Sequence, residues 1–124
     1  MTNSYKKVLI VDDDKDISNI LKQSLVAEGF SVISAQDGEE GLKMIEKEKP
    51  DLILLDIVMP KMDGVTMAKK LEEKNIKLKI LFLTNLRGEL PVAEGIVEKT
   101  DYISKTDMHI DQIIAKVKEK LSIE

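Results

Sequence analysis

Residues 51–64 read Asp51-Leu52-Ile53-Leu54-Leu55-Asp56-Ile57-Val58-Met59-Pro60-Lys61-Met62-Asp63-Gly64. The run Leu52 to Leu55 is apolar without alternation, the pattern of a strand buried on both faces of a parallel sheet. A carboxylate, Asp56, stands where that run ends, and Met59-Pro60 and Asp63-Gly64 punctuate the loop that follows. A carboxylate beside a buried strand is costly unless something offsets its charge. In open parallel sheets the carboxyl edge of the strands is where ligands bind. An Asp that simply caps the next turn is the plainer reading of Asp56 taken alone.

Working outward from this stretch, the same pattern recurs. Val8-Leu9-Ile10-Val11 is a β-branched run that ends in Asp12-Asp13-Asp14. Ile17, Ile20, Leu21, Ser24, Leu25 and Glu28 then recur at helical spacing, the apolar members forming one stripe, with Asp14 and Asp16 in the first turn and Gly29 as the stop. Phe30 to Ala35 reads as a strand, Gly38 punctuates, Glu39 to Glu48 reads as a helix ended by Lys49-Pro50, and Val65, Met67, Ala68 and Leu71 as a third helix closing near Asn75. Lys79 to Thr84 is a fourth strand. Leu86 to Thr100 holds Gly88, Pro91 and Gly95, which predicts a short or irregular helix. Tyr102-Ile103-Ser104 is a brief fifth strand, followed by Lys105. Thr106 or Asp107 then caps a last helix with the stripe Ile110, Ile113, Ile114, Val117 and Leu121.

Strands alternating with helices in this way predict an α/β domain with a parallel sheet and helices on both faces. At 124 residues the chain fits one domain, and 43% hydrophobic residues suffice for one core. A net charge of −4 without a basic block, and 3% aromatic residues, argue against nucleic-acid binding. No cysteine is present, which excludes disulfides and thiolate–metal sites. No segment resembles a signal peptide or a membrane span, so a cytoplasmic protein is expected.

A parallel sheet brings the strand ends together at one edge. Asp12 and Asp13, Asp56, Thr84 and Lys105 would then form one site. Clustered carboxylates repel, so one holds its proton or a cation binds. Few protein carboxylates with room for water suit Mg2+ better than an all-protein Ca2+ cage, and the glycine and terminal glutamate of an EF-hand loop are missing. A divalent ion beside a carboxylate, a hydroxyl and a lysine suits phosphoryl transfer with the carboxylate as nucleophile. No Gly-rich P-loop follows the first strand, so the phosphoryl group should not come from a nucleotide bound here. His109 stands alone and is expected as an exposed residue in a helix's first turn.

Val11-Asp12-Asp13-Asp14, Leu55-Asp56 through Met59-Pro60 and Asp63-Gly64, Leu83-Thr84, and Tyr102-Ile103-Ser104-Lys105 together resemble the receiver domain of two-component response regulators. The resemblance runs from Lys6 to Leu121. It implies a doubly wound (βα)5 flavodoxin-like sandwich whose five-stranded parallel sheet is ordered 2-1-3-4-5. Residues 1–5 would be a short tail and 6–124 the receiver. Asp56 matches the phosphoacceptor. Asp13 and Asp56 would ligate Mg2+ by their side chains, Val58 by its backbone carbonyl, and Asp12 through a water. Lys105 would pair with phosphoryl oxygens, Thr84 would hydrogen-bond one of them, and Tyr102 would be the aromatic switch.

The implied partners are a sensor histidine kinase or a histidine phosphotransfer protein as donor, and a downstream protein target. A phosphorylation-dependent homodimer is compatible with this. The implied function is a stand-alone phosphorelay switch rather than an enzyme with a separate substrate. Two rivals are a degenerate receiver that serves as an unphosphorylated docking module, and a small flavodoxin-like enzyme or flavin carrier. Two positions depart from the family pattern: Thr106 stands where a cis proline usually follows the lysine, and Asn85 where a small residue usually follows the threonine. Val58 and Leu86, two residues beyond Asp56 and Thr84, are both apolar and cannot orient an attacking water. A long-lived phosphoryl group on Asp56 is therefore expected.

Overall fold

The apolar run at residues 52–55 lies at the centre of the sheet. In a computed structural model of the chain, which describes residues 6–57, 62, 64–76, 78–84, 102–104 and 109–122, it forms a strand, β3 (Leu52–Asp56), with every residue buried. The preceding elements are β1 (Lys7–Val11), α1 (Lys15–Ala27), β2 (Ser31–Ala35) and α2 (Gly38–Glu48). Those that follow are α3 (Gly64–Glu73), β4 (Lys79–Thr84), β5 (Tyr102–Ser104) and α4 (Ile110–Lys120). All pairings are parallel, in the order β2-β1-β3-β4-β5. The helix expected between Leu86 and Thr100 falls outside the described residues.

Strand periodicity explains the two faces. Side chains alternate sides along a strand. Leu9, Val11, Ile53, Leu55 and Phe82 therefore face Ile45 of α2 and Met67, Ala68 and Leu71 of α3. Val8, Ile10, Leu52, Leu54, Leu81 and Leu83 face Leu21 and Leu25 of α1 and Ile113 and Val117 of α4. Each such side chain contributes about 1.5–3 kcal/mol by leaving water. The central strands are buried on both sides, which is why their sequences show no polar alternation.

The helix ends follow from local chemistry. Asp14 caps α1, its carboxylate accepting from the amides of Asp16 and Ile17 at 3.0 and 3.2 Å. At the other end Phe30 N–H donates to the Leu25 carbonyl and Gly29 N–H to that of Val26, a Schellman pair that places Gly29 at φ +98°. Asn75 closes α3 in the same way, with φ 57° and the bonds Ile76 to Leu71 and Asn75 to Glu72. Lys49, at φ 48°, ends α2 just before Pro50.

Two expectations are corrected. Ile20 does not belong to the buried stripe of α1; it is 50% exposed. The face that meets the sheet runs through Ser18, Leu21 and Leu25, and Ile20 lies a hundred degrees of helix rotation away from Leu21. The last helix starts at Ile110, with His109 at the N-cap position and no side-chain capping bond. Cap propensity had favoured Thr106 or Asp107, but the apolar stripe begins only at Ile110, and burial decides where the helix starts. His109 is thus exposed as expected, but one residue before the first turn.

At the amino ends of the strands, lysines tie elements together. Lys7 N–H donates to Asp51 Oδ2 at 2.7 Å, and Lys7 Nζ meets Glu48 Oε1 at 3.2 Å. Lys79 Nζ donates to the Lys120 carbonyl at 2.7 Å, and Lys118 pairs with Glu28 at 2.6 Å.

Candidate functional site

The opposite edge of the sheet carries the acids. Val11 is in register with Leu55 across β1 and β3, so the next residues, Asp12 and Asp56, leave the sheet side by side. Asp12 is 1% exposed and Asp56 4% exposed, while Asp13 faces solvent. One carboxylate oxygen from each of the three lies within 4.8 Å of the others.

The backbone holds this arrangement from several sides. The Asp12 amide donates to the Ala35 carbonyl of β2 at 3.1 Å. Asp12 Oδ1 accepts from the Asp14 amide at 2.9 Å, a turn that sends the chain into α1. Asp56 pairs with Leu83 of β4, and the Ile57 amide donates to the Leu83 carbonyl at 3.0 Å. Of three consecutive aspartates, then, Asp14 serves the helix and the first two serve the cluster.

Two buried carboxylates about 5 Å apart repel by roughly 3 kcal/mol at an effective dielectric constant of about 20. Hard oxygen donors, partly buried and opening to solvent through Asp13, fit a small divalent cation that keeps several waters. The donor set therefore suits Mg2+, with Asp12, Asp13 and Asp56 as the residues able to hold it.

Other expected site residues are placed only in part. Thr84 ends β4, one residue beyond the partner of Asp56 and in register with Ser104, so its backbone reaches the same edge. Tyr102 pairs with Phe82 through the backbone. The side chains of Thr84 and Tyr102 lie outside the described set. Val58, Asn85, Leu86, Lys105 and Thr106 also lie outside the described residues, Lys105 following directly on the last residue of β5. Met62 is half-buried against the α2–α3 core.

Sequence reasoning read two glycines only as punctuation. Gly64, the first residue of α3, donates its amide to the Ile57 carbonyl at 2.8 Å, and a Cβ there would overlap the Asp56 carbonyl oxygen. At Gly38 a Cβ would lie 3.0 Å from Met62 Cβ and Sδ. The signal was present in Asp63-Gly64 and Asp37-Gly38, but only the packing shows what each glycine makes room for.

The family model for the response regulator receiver domain matches residues 8–118. The chain belongs to this family. Over 101 residues the receiver is 43% identical to the alkaline phosphatase synthesis transcriptional regulatory protein PhoP of Bacillus subtilis (strain 168), which covers 81% of the chain. The chain spans 42% of that relative's length. Among solved structures, the receiver domain of the Francisella response regulator 1452 superposes with a TM-score of 0.83 at 32% identity, over 94% of this chain and 97% of that one. A CheY-like receiver domain protein from Methanospirillum hungatei JF-1 gives 0.79 at 31% identity, over 96% and 95%. The receiver thus has the flavodoxin-like α/β fold with a parallel sheet and belongs to phosphorelay signalling.

Proposed function

We propose that this receiver is an Mg2+-dependent switch that accepts a phosphoryl group on Asp56. The observation that carries the reading is the approach of Asp12, Asp13 and Asp56 oxygens to within 4.8 Å at the carboxyl edge of the sheet. The donor is a phosphohistidine on a sensor kinase or a phosphotransfer protein, and the downstream target is a protein. The chain acts as a switch and turns over no separate substrate. The receiver domain runs from residue 6 to residue 124. No helix among the described residues is long and apolar enough to cross a membrane, and we place the protein in the cytoplasm.

In the transfer, an Asp56 carboxylate oxygen attacks phosphorus in line with the leaving imidazole nitrogen. The new O–P bond forms as the N–P bond breaks, and the electron pair leaves on the imidazole, which takes up a proton. Bound Mg2+ supplies charge neutralisation for the phosphoryl oxygens. Asp13 and Asp56 would hold the ion by their side chains and Val58 by its carbonyl, with Asp12 beside them in the same acidic cluster. Lys105 offsets the remaining negative charge, and Thr84 donates a hydrogen bond to a phosphoryl oxygen. The phosphoryl group would shift a two-state equilibrium, with Thr84 and Tyr102 as its switch residues.

Incubation with Mg2+ and acetyl phosphate, followed by intact-mass measurement, tests this. The parent protein gains one phosphoryl group and Asp56→Asn gains none. Absence of an adduct on the parent would leave only a docking role for the domain.

A further inference from the structure

Strand β2 ends the sheet, and no strand among the described residues pairs with its outer side. Its backbone groups alternate in direction. Ser31 N–H donates to the Lys6 carbonyl at 3.0 Å, and the Ala35 carbonyl accepts from the Asp12 amide at 3.1 Å. Ser31, Ile33 and Ala35 therefore turn their polar groups toward β1, and the N–H and C=O of Val32 and Ser34 point away from the sheet. Natural edge strands are guarded by charge, proline or a bulge. Ser31-Val32-Ile33-Ser34-Ala35 carries no charge and no proline, and its register with β1 is unbroken.

Both helix layers leave an apolar side chain beside this edge. Glu28, at the end of α1, pairs with Lys118 of α4, which turns that flank of α1 toward α4. Two residues span about 200° of helix rotation. Val26 thus lies on the other flank, beside β2, where it is 51% exposed. On the opposite face of the sheet Glu46 of α2 pairs with Lys74 of α3. By the same rotation Met44 lies on the flank of α2 away from α3, only partly buried against the core. Val32 and Ile33 are likewise partly buried, one on each face. The edge is rimmed by Val26 and Val32 on one side and by Ile33 and Met44 on the other.

We propose that this edge is a homodimer interface. A second copy lays its β2 antiparallel to the first about a two-fold axis at Ile33, joining two five-stranded sheets into one. In this register Val32 of each copy exchanges both backbone hydrogen bonds with Ser34 of the other, which satisfies every outward group of both residues. An extended peptide would pair with the backbone but leave Val26 and Met44 bare. Covering them takes a partner with a helix on each face of its own edge strand, and a second copy supplies both by symmetry. The spacing fits. Helices α1 and α2 each pack on both β1 and β2. With strands about 4.8 Å apart, each helix would stand about 10 Å from its counterpart, the separation of packed helices. The contact needs neither Mg2+ nor a phosphoryl group, so it does not rest on the reading of the acidic site.

The test is sedimentation of the full chain without a phosphodonor, from micromolar to near-millimolar concentration, with amide hydrogen exchange at both ends of the series. The parent is expected to pass from monomer to dimer. The amides of Val32 and Ser34 should exchange about tenfold or more slowly at the high end, while that of Ile33, which faces β1, changes little. Ser34→Pro removes an outward donor and leaves the β1 ladder intact. Val26→Glu places a charge on the α1 flank. Each is expected to weaken association about tenfold or more. Ile20→Glu is the control: Ile20 is 50% exposed on the α4 side of α1, so the same charge there should leave the dimer as in the parent. A parent that stays monomeric throughout overturns the proposal. So does a dimer whose Val32 and Ser34 amides exchange as in the monomer, or one that Val26→Glu weakens no more than Ile20→Glu. If Ser34→Pro does not fold, the comparison of Val26→Glu with Ile20→Glu decides.

Discussion

The Asp14 amide donates to Asp12 Oδ1 at 2.9 Å, while the Asp14 carboxylate turns the other way to accept from Asp16 and Ile17. Neighbouring aspartates are thereby divided between two tasks. Asp14→Ala removes a cap and is expected to cost about 1 kcal/mol of stability. Its Mg2+ affinity should stay close to that of the parent, because Asp12 is held by the backbone amide of residue 14 and not by its side chain. Chemical denaturation together with a Mg2+ titration checks both halves.

Asp56→Asn should raise stability in metal-free buffer, since it removes one charge from a buried repelling pair. The parent gains stability with added Mg2+ by mass action, by about 2.7 kcal/mol at a concentration 100 times its dissociation constant. The variant should gain far less. Thermal melts with and without Mg2+ should therefore cross, and parallel behaviour of the two proteins would count against a metal site at Asp56.

Leu54→Ala opens a cavity under α1 and α4, away from the acidic edge, and is expected to cost about 2–5 kcal/mol. Leu54 is fully buried. Denaturant unfolding measures the loss, and Mg2+ affinity of the folded fraction should not change.

Phosphoryl-Asp56 should persist well beyond seconds in Mg2+, because Val58 and Leu86 offer no group to orient water. Decay of the adduct followed by intact mass is the measurement. Val58→Asn or Leu86→Lys should shorten the lifetime, and loss within seconds in the parent would reject the idea.

Much of this architecture was readable from the residues. The unbroken apolar runs at 8–11 and 52–55 announced buried parallel strands, and Gly29, Asn75 and Pro50 marked helix ends for steric reasons that hold locally. The convergence of Asp12, Asp13 and Asp56 followed from strand polarity once those runs were recognised. Ile20 was misread because a helical stripe is about a hundred degrees wide, and its borders depend on where the sheet lies, which spacing does not state. The start of α4 was misread because a capping residue is a local preference, whereas helix onset there follows the burial of Ile113 and Val117. Gly64 and Gly38 were opaque for another reason: a missing side chain gives no signal about what occupies its place.

The lysine ties at Asp51, Glu48, Lys120 and Glu28 all sit at the end of the barrel-less sheet remote from the aspartates. Rigidity and reactivity thus occupy different poles of the molecule. A dye or surface tether attached near Glu28 or Lys120 should report on melting while leaving labelling by small phosphodonors undisturbed, which gives the protein a natural handle for immobilised assays.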